Sequence, residues 1–192
     1  IIDAELFSTR LKKLHTSFIS NKEAWNGADA LCVPMGASSD EELNYSKSSA
    51  LHLYLLGYEF SDSILILTKN TVCFMATAKK CGLIETAIQT KAVEGLKFEF
   101  FKKTKDEGSN REAFNAMLAI IRKNGCTKIG TLLKGSFPGI FIPAWTEAVA
   151  HSTIPTGEIG SALGAAFAVK DSDELVSVYF MYLYFNFIDF VF

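Results

Sequence analysis

The sequence predicts an α/β fold in which helices flank a mixed β-sheet. Three observations carry that prediction. Amphipathic stripes alternate with short apolar runs, two of those runs are joined by a two-residue polar link, and no repeat or flexible linker divides residues 1–175. Strands separated by helices pair in parallel, whereas the short link makes a hairpin, so the sheet is mixed.

Each element has a local reason. Asp3 is placed to cap a first helix, its carboxylate accepting from the free amides of the opening turn. Leu6, Phe7, Leu11, Leu14 and Phe18 then make one apolar stripe through about Ser20, with Lys12 and Lys13 on the wet side. Ala28–Val33 reads as a strand closed by Pro34 and Gly36, and Asp40–Asn44 as a polar connection. Ser46–Leu56 reads as a helix ended by Gly57, the residue best able to turn left-handed. Ser63–Thr68 and Thr71–Ala76 form the hairpin around Lys69-Asn70, with Asn70 expected at positive φ. The unbroken Ile64-Leu65-Ile66-Leu67 run marks a central strand buried on both faces.

Lys79–Gln89 is helical in pattern and Leu96–Phe101 is a strand. Ser109 and Glu112 have capping-box spacing before the stripe Phe114, Met117, Leu118 and Ile121, which Gly125 ends. Lys128–Leu133 reads as a strand, Phe137-Pro138-Gly139 as a turn and Ile140–Ala150 as a helix. Ile159–Val169 is rich in small residues and leaves helix and strand open, while Gly160 and Gly164 are expected to permit close packing.

Composition excludes several classes. Nineteen Lys+Arg against 21 Asp+Glu give a net charge of −2, which excludes a strongly basic nucleic-acid binder. A 49% hydrophobic and 21% charged chain is not disordered. Cys32, Cys73, Cys81 and Cys126 are scattered, with no C-x-x-C pair, and are expected as reduced thiols of the cytosol or nucleus. The opening Ile1-Ile2-Asp3 has no basic-then-apolar leader, so no signal peptide is expected and the sequon Asn44-Tyr45-Ser46 is expected to stay unglycosylated.

From Val176 to Phe192 the composition changes. Val178–Phe192 holds eight aromatic residues, with Asn186 and Asp189 its strongly polar positions, and is shorter than the ~20 apolar residues of a membrane span. A buried terminal element and a hydrophobic anchor are two readings. The preferred one is translated intron, because Val176-Ser177 is what the splice-donor consensus encodes in frame and Phe, Tyr, Asn and Ile follow from AT-rich sequence.

Chemistry-bearing motifs are scarce. His15, His52 and His151 have no His or Cys three or four residues away, as a helix-borne metal site requires, and are expected at the surface or the core edge. His52 with Cys32 or Cys73 is a conceivable thiol–imidazole pair. Neither phosphate-binding glycine motif is present, and Gly160-Ser161-Ala162-Leu163-Gly164 places its serine second, so it is no nucleophile elbow. Glu41-Glu42 and Asp171–Glu174 read as solvated turns. Lys79-Lys80, and Lys102, Lys103 and Lys105 after the Leu96–Phe101 strand, are modest basic clusters of a kind that touches nucleic acid or an acidic protein surface, but Asp106 and Glu107 follow directly and an ordinary solvated loop is the preferred reading. No catalytic residue, metal ligand or cofactor site is assigned.

One stretch is specific. Tyr45-Ser46-Lys47-Ser48-Ser49-Ala50-Leu51 runs into Leu55-Leu56-Gly57-Tyr58-Glu59-Phe60-Ser61-Asp62-Ser63 and resembles the N-terminal lobe of the large subunit of the FACT histone chaperone. Phe74-Met75-Ala76-Thr77 before Lys79-Lys80, Ile129-Gly130, Phe137-Pro138-Gly139, Trp145 and Ala168-Val169-Lys170-Asp171 fall in the family's order. Gly135-Ser136 departs from it where some relatives carry Asp-Lys.

The resemblance implies a sandwich like the N-terminal domain of creatinase, prolidase and aminopeptidase P. Residues 1–175 would form the lobe and 176–192 an aberrant tail. It implies a nuclear, chromosome-associated, non-enzymatic module binding core histones and nucleosomes in transcription, DNA replication and repair. Its partners would be a small HMG-box subunit and the replication or transcription machinery, with no membrane. The alternative is the non-catalytic lobe of a prolidase- or aminopeptidase P-type metallopeptidase. Lys47, Glu59, Asp62, Lys79 and Lys80 are the candidate partner surface, and the corner Tyr58–Asp62 has a purely structural reading beside that one.

Overall fold

The structure, a computed structural model, describes residues 1–37 and 46–168. The expectations for Asp40–Asn44, Glu41-Glu42, the sequon, Asp171–Glu174 and the division at residue 175 lie outside the described residues.

Helix α1 (Ala4–Ser20) starts where the Asp3 carboxylate accepts from the Leu6 amide at 2.9 Å. Then come β1 (Ala30–Met35), α2 (Lys47–Leu56), β2 (Ser63–Leu67), β3 (Thr71–Ala76), α3 (Ala78–Thr90) and β4 (Lys97–Lys102). The second half is α4 (Glu107–Lys123), β5 (Ile129–Thr131), α5 (Phe141–His151), β6 (Thr156–Glu158) and α6 (Gly160–Ala168).

The strands form one sheet in the order β4-β3-β2-β1-β5-β6. β2 pairs antiparallel with both neighbours, and the other pairings are parallel. Side chains alternate across the two faces, so each central strand feeds two cores. Leu31, Val33 and Leu67 join Phe7, Leu11, Leu51, Ile84 and Leu163 under α1, α2, α3 and α6. Ala30, Cys32, Ile64 and Ile66 join Phe114, Met117, Ile121 and Trp145 under α4 and α5. The expected mixed sheet with flanking helices is the fold observed.

Several local expectations need correction. β1 runs through Pro34, which lies opposite Ile64, rather than ending before it. β5 pairs with β1 only at Ala30–Cys32, so a residue lacking an N–H is tolerated beyond that point. Positive φ among non-glycine residues occurs at Asn26, Asp62 and Thr153, not at Asn70. The hairpin is closed by Thr68, whose hydroxyl accepts from the Thr71 amide at 3.0 Å and whose own amide donates to the Thr71 carbonyl at 2.8 Å.

α4 is capped by Asp106, which accepts from the Ser109 amide at 2.6 Å, so the Ser109–Glu112 box is displaced by almost a turn. Reciprocal hydrogen bonds between Thr104 and Asn110 fix that earlier start. β5 ends at Thr131 because the Glu158 carboxylate draws the Leu133 and Lys134 amides away, at 2.7 and 3.2 Å. β6 has no counterpart among the expected elements: Thr156-Gly157-Glu158 has no apolar run to announce it. Residues 160–168 are helical, and Gly164 has open space beside it, so only Gly160 makes the expected close approach.

His52 is buried in the α1–α2–α3 layer, not at the surface or core edge, whereas Cys32 and Cys73 belong to the opposite layer. The sheet therefore separates the conceivable thiol–imidazole pair. Burial pushes the Cys32 and Cys73 thiols up to about 12, and that of Cys126 to about 11, so they stay protonated at neutral pH. His52 accepts the Phe60 amide on Nδ1 at 3.1 Å. Burial first, then the nearby Lys80 ammonium, bring its pKa down from 6.5 to about 4.

Two outcomes follow for stability. Gly57 ends α2 at φ 72°, so Gly57→Ala is expected to destabilise by about 1–2 kcal/mol in urea unfolding, the cost of a left-handed alanine. Unfolded histidine takes a proton near 6.5 and folded His52 only near 4, so its stability contribution is complete above pH 6.5 and lost as pH falls toward 4. Its size is up to about 3 kcal/mol. His52→Asn keeps an acceptor for the Phe60 amide and is expected to flatten the pH dependence of the urea midpoint between about pH 4 and 6.5.

Candidate partner surface

Because only β2 runs against its neighbours, the segments leaving β1, β3, β4 and β5 and the one entering β2 gather at one end of the sheet. The corner from Gly57 to Asp62 lies there. Phe60 is buried, held by the His52 bond and by the Ser63 hydroxyl, which donates to its carbonyl at 2.5 Å. Tyr58 and Glu59 are left exposed.

Asp62 takes a left-handed conformation, φ 52°, which is rare for a non-glycine residue. Its amide donates to the Gly36 carbonyl at 2.8 Å, and its carboxylate accepts from Lys103 Nζ at 2.8 Å. That ammonium also sits 5.0 Å from the Phe141 ring centroid, so the pair ties the corner to the start of α5. A methyl group on Gly36 would lie 2.9 Å from Pro138 Cδ, and the Ala37 amide donates to the Pro138 carbonyl at 3.0 Å. The Gly-Tyr-Glu corner and the Phe-Pro-Gly turn, distant in sequence, thus converge on one spot.

Lys80 donates to the Ser61 carbonyl at 2.6 Å and to the Ser61 hydroxyl at 3.1 Å. Burial lowers its pKa below the ordinary lysine value; Asp62 opposes that shift and Lys103 adds to it. Asp62 and Lys80 therefore share one charged cluster with Lys103. Glu59 and Lys79 are exposed and have no polar partner among the described residues. Lys47 is not part of the cluster. It sits beside Glu158, since a methyl group on Gly160 would meet the Glu158 carboxylate at 2.7 Å and Lys47 Nζ at 2.9 Å. Burial raises the Glu158 pKa, but the amides of Gly160, Leu133 and Lys134 outweigh it and hold the carboxyl below its usual value.

Sequence reasoning missed the anchoring roles of Lys103 and Glu158. Asp62 and Lys103 are 41 residues apart, and no periodicity reports such a contact. Beside the Asp62–Lys103 pair opens a trough of about 600 Å³ between the first turns of α4 and α5, with Phe114, Ile140, Phe141 and Pro143 in its lining. It adjoins a cleft of about 330 Å³ along the α4–α5 seam, the two sharing Arg111, Ala144 and Glu147. No group of three or more His, Cys, Asp or Glu placed to hold a metal occurs among the described residues. The trough and the adjoining cleft offer concave surface beside the charged corner.

Comparison with known proteins adds identity to this geometry. The family model for the FACT complex subunit SPT16 N-terminal lobe domain matches residues 2–161. The FACT complex subunit spt16 of Aspergillus fumigatus is 34% identical over 184 residues, covering 93% of this chain and 18% of that protein. The Arabidopsis thaliana FACT complex subunit SPT16 is 31% identical over 185 residues, covering 92% and 17%. The chain thus spans under a fifth of the length of these relatives.

Among solved structures, the N-terminal domain of SPT16 from chickpea superposes with a TM-score of 0.83 at 26% identity, covering 92% of this chain and 41% of that one. An Xaa-Pro dipeptidase from Bacillus anthracis gives a TM-score of 0.52 at 13% identity, covering 86% and 38%, a likeness of fold alone. The chain belongs to the FACT complex subunit SPT16 N-terminal lobe family.

Proposed function

We propose that this chain is a non-catalytic docking module of the FACT complex that binds core histones and nucleosomes in the nucleus, serving transcription, DNA replication and repair. The observation that carries the reading is the family match over residues 2–161, in a chain whose family motifs meet at one end of the sheet. Within the full-length protein its partners are histones, the small HMG-box subunit and the replication or transcription machinery. Glu59 and Lys79 are the members of the candidate surface best placed to meet a partner, being exposed and free of internal polar bonds among the described residues. Asp62 and Lys80 serve first to hold the corner, and Lys47 to flank Glu158. The peptidase-lobe alternative draws only on fold likeness.

The test is binding of the 192-residue chain to immobilised core-histone dimers, core-histone tetramers and reconstituted nucleosomes. Glu59→Ala is expected to leave the melting temperature unchanged while weakening histone binding severalfold. Asp62→Ala is expected to lower the melting temperature, because it leaves Lys103 without its carboxylate. Absence of binding to all three ligands at low salt would overturn the proposal.

A further inference from the structure

We infer that the α4–α5 trough is a docking groove for an extended acidic peptide carrying an apolar anchor residue. The shape is the first observation. The wide end, about 600 Å³, has Phe114, Phe141 and Pro143 in its walls and Ile140 at its rim, 77% exposed. A single large side chain docked there would bury Ile140 with it, which is the gain an exposed aliphatic group offers a partner. The narrow end continues between α4 and α5, where Arg111, Asn115, Leu118 and Arg122 recur at four-, three- and four-residue spacing along one face of α4. Arg111 to Arg122 spans about 16 Å of helix, the reach of about five extended residues.

Charge chooses the occupant. Of the cations lining the two connected spaces, Lys103 is neutralised by Asp62. Lys105 and Arg111 are exposed and have no ion-pair or hydrogen-bond partner among the described residues. Arg122 meets no carboxylate there; it gives one hydrogen bond to the Ser152 carbonyl at 2.7 Å, and His151 lines the same cleft. Against these stand Glu107, which lies in the first turn of α4 where the helix dipole offsets it, and Glu147 on α5. The remaining balance is positive and strung along the seam, complementary to a run of carboxylates. Glu107 and Glu147 in the walls, with the apolar floor, favour a peptide with one anchor and spaced acids over a continuous polyanion such as DNA. The inference is independent of the histone reading, since histones are basic.

The test uses the 192-residue chain and a fluorescein-labelled Leu-Phe-Asp-Glu-Asp-Glu peptide in fluorescence anisotropy. Its counterparts are a version with lysine at the four acidic positions, one with serine in place of Leu-Phe, and a single-stranded dodecanucleotide as competitor. The acidic peptide is expected to bind and the serine version to bind more weakly. Arg111→Glu is expected to weaken binding about tenfold, as for a charge reversal at a complementary contact. Ile140→Ser is expected to weaken it severalfold, both variants keeping the parent melting temperature. Arg111→Gln gives the same direction should the reversal disturb folding. Equal or tighter binding of the lysine peptide, displacement by the oligonucleotide at lower concentration than by unlabelled peptide, or an affinity unmoved by the Arg111 and Ile140 substitutions would each overturn the inference.

Discussion

The two-sided burial of β1 and β2 is the constraint on which the rest of the molecule depends. Leu31 and Val33 point into one layer while Ala30 and Cys32 point into the other, and Ile64 and Ile66 oppose Leu67 in the same way. A register slip of one residue would exchange every one of these side chains between unlike cores, so the pairing of Leu31 with Leu67 through Met35 with Ser63 is strongly specified. With that pair fixed, the polarity of β2 against its neighbours brings the corner before β2, the turn before α5 and the segment after β4 to one end.

At that end a few polar contacts do what apolar packing cannot: they fix irregular backbone. His52 holds Phe60, Asp62 holds Gly36 and Lys103, and Glu158 gathers three amides. Hydrogen bonds and ion pairs of partly or fully buried groups are costly to break, which is why the corner has a structural share in the family motif as well as any part in recognition. The exposed Tyr58 and Glu59 are the portion of the motif that those contacts leave unused.

Much of this was legible in the sequence where the signal is local. The Asp3 cap, the α1 stripe, the Ser46-to-Gly57 helix and the buried Ile64–Leu67 run each follow from spacing or from a single residue's conformational preference. What escaped depends on partners remote in sequence. β6 exists because Thr156–Glu158 falls beside β5, β5 is cut short by a carboxylate 25 residues away, and Pro34 fits because a neighbour has already left. The family resemblance found the right residues, but only the fold separates Asp62 and Lys80, which are tied to the corner, from Glu59 and Lys79, which are not, and moves Lys47 beside Glu158.

The cysteines have a practical consequence. All four are buried, Cys81 on the inner face of α3 and Cys32, Cys73 and Cys126 on the α4–α5 side. Alkylating reagents attack thiolates they can reach, so neither layer reacts until it opens. The chain thus carries native reporters of breathing on both sides of its sheet, and mass spectrometry of alkylated peptides would tell whether the two halves of the sandwich loosen together or in turn.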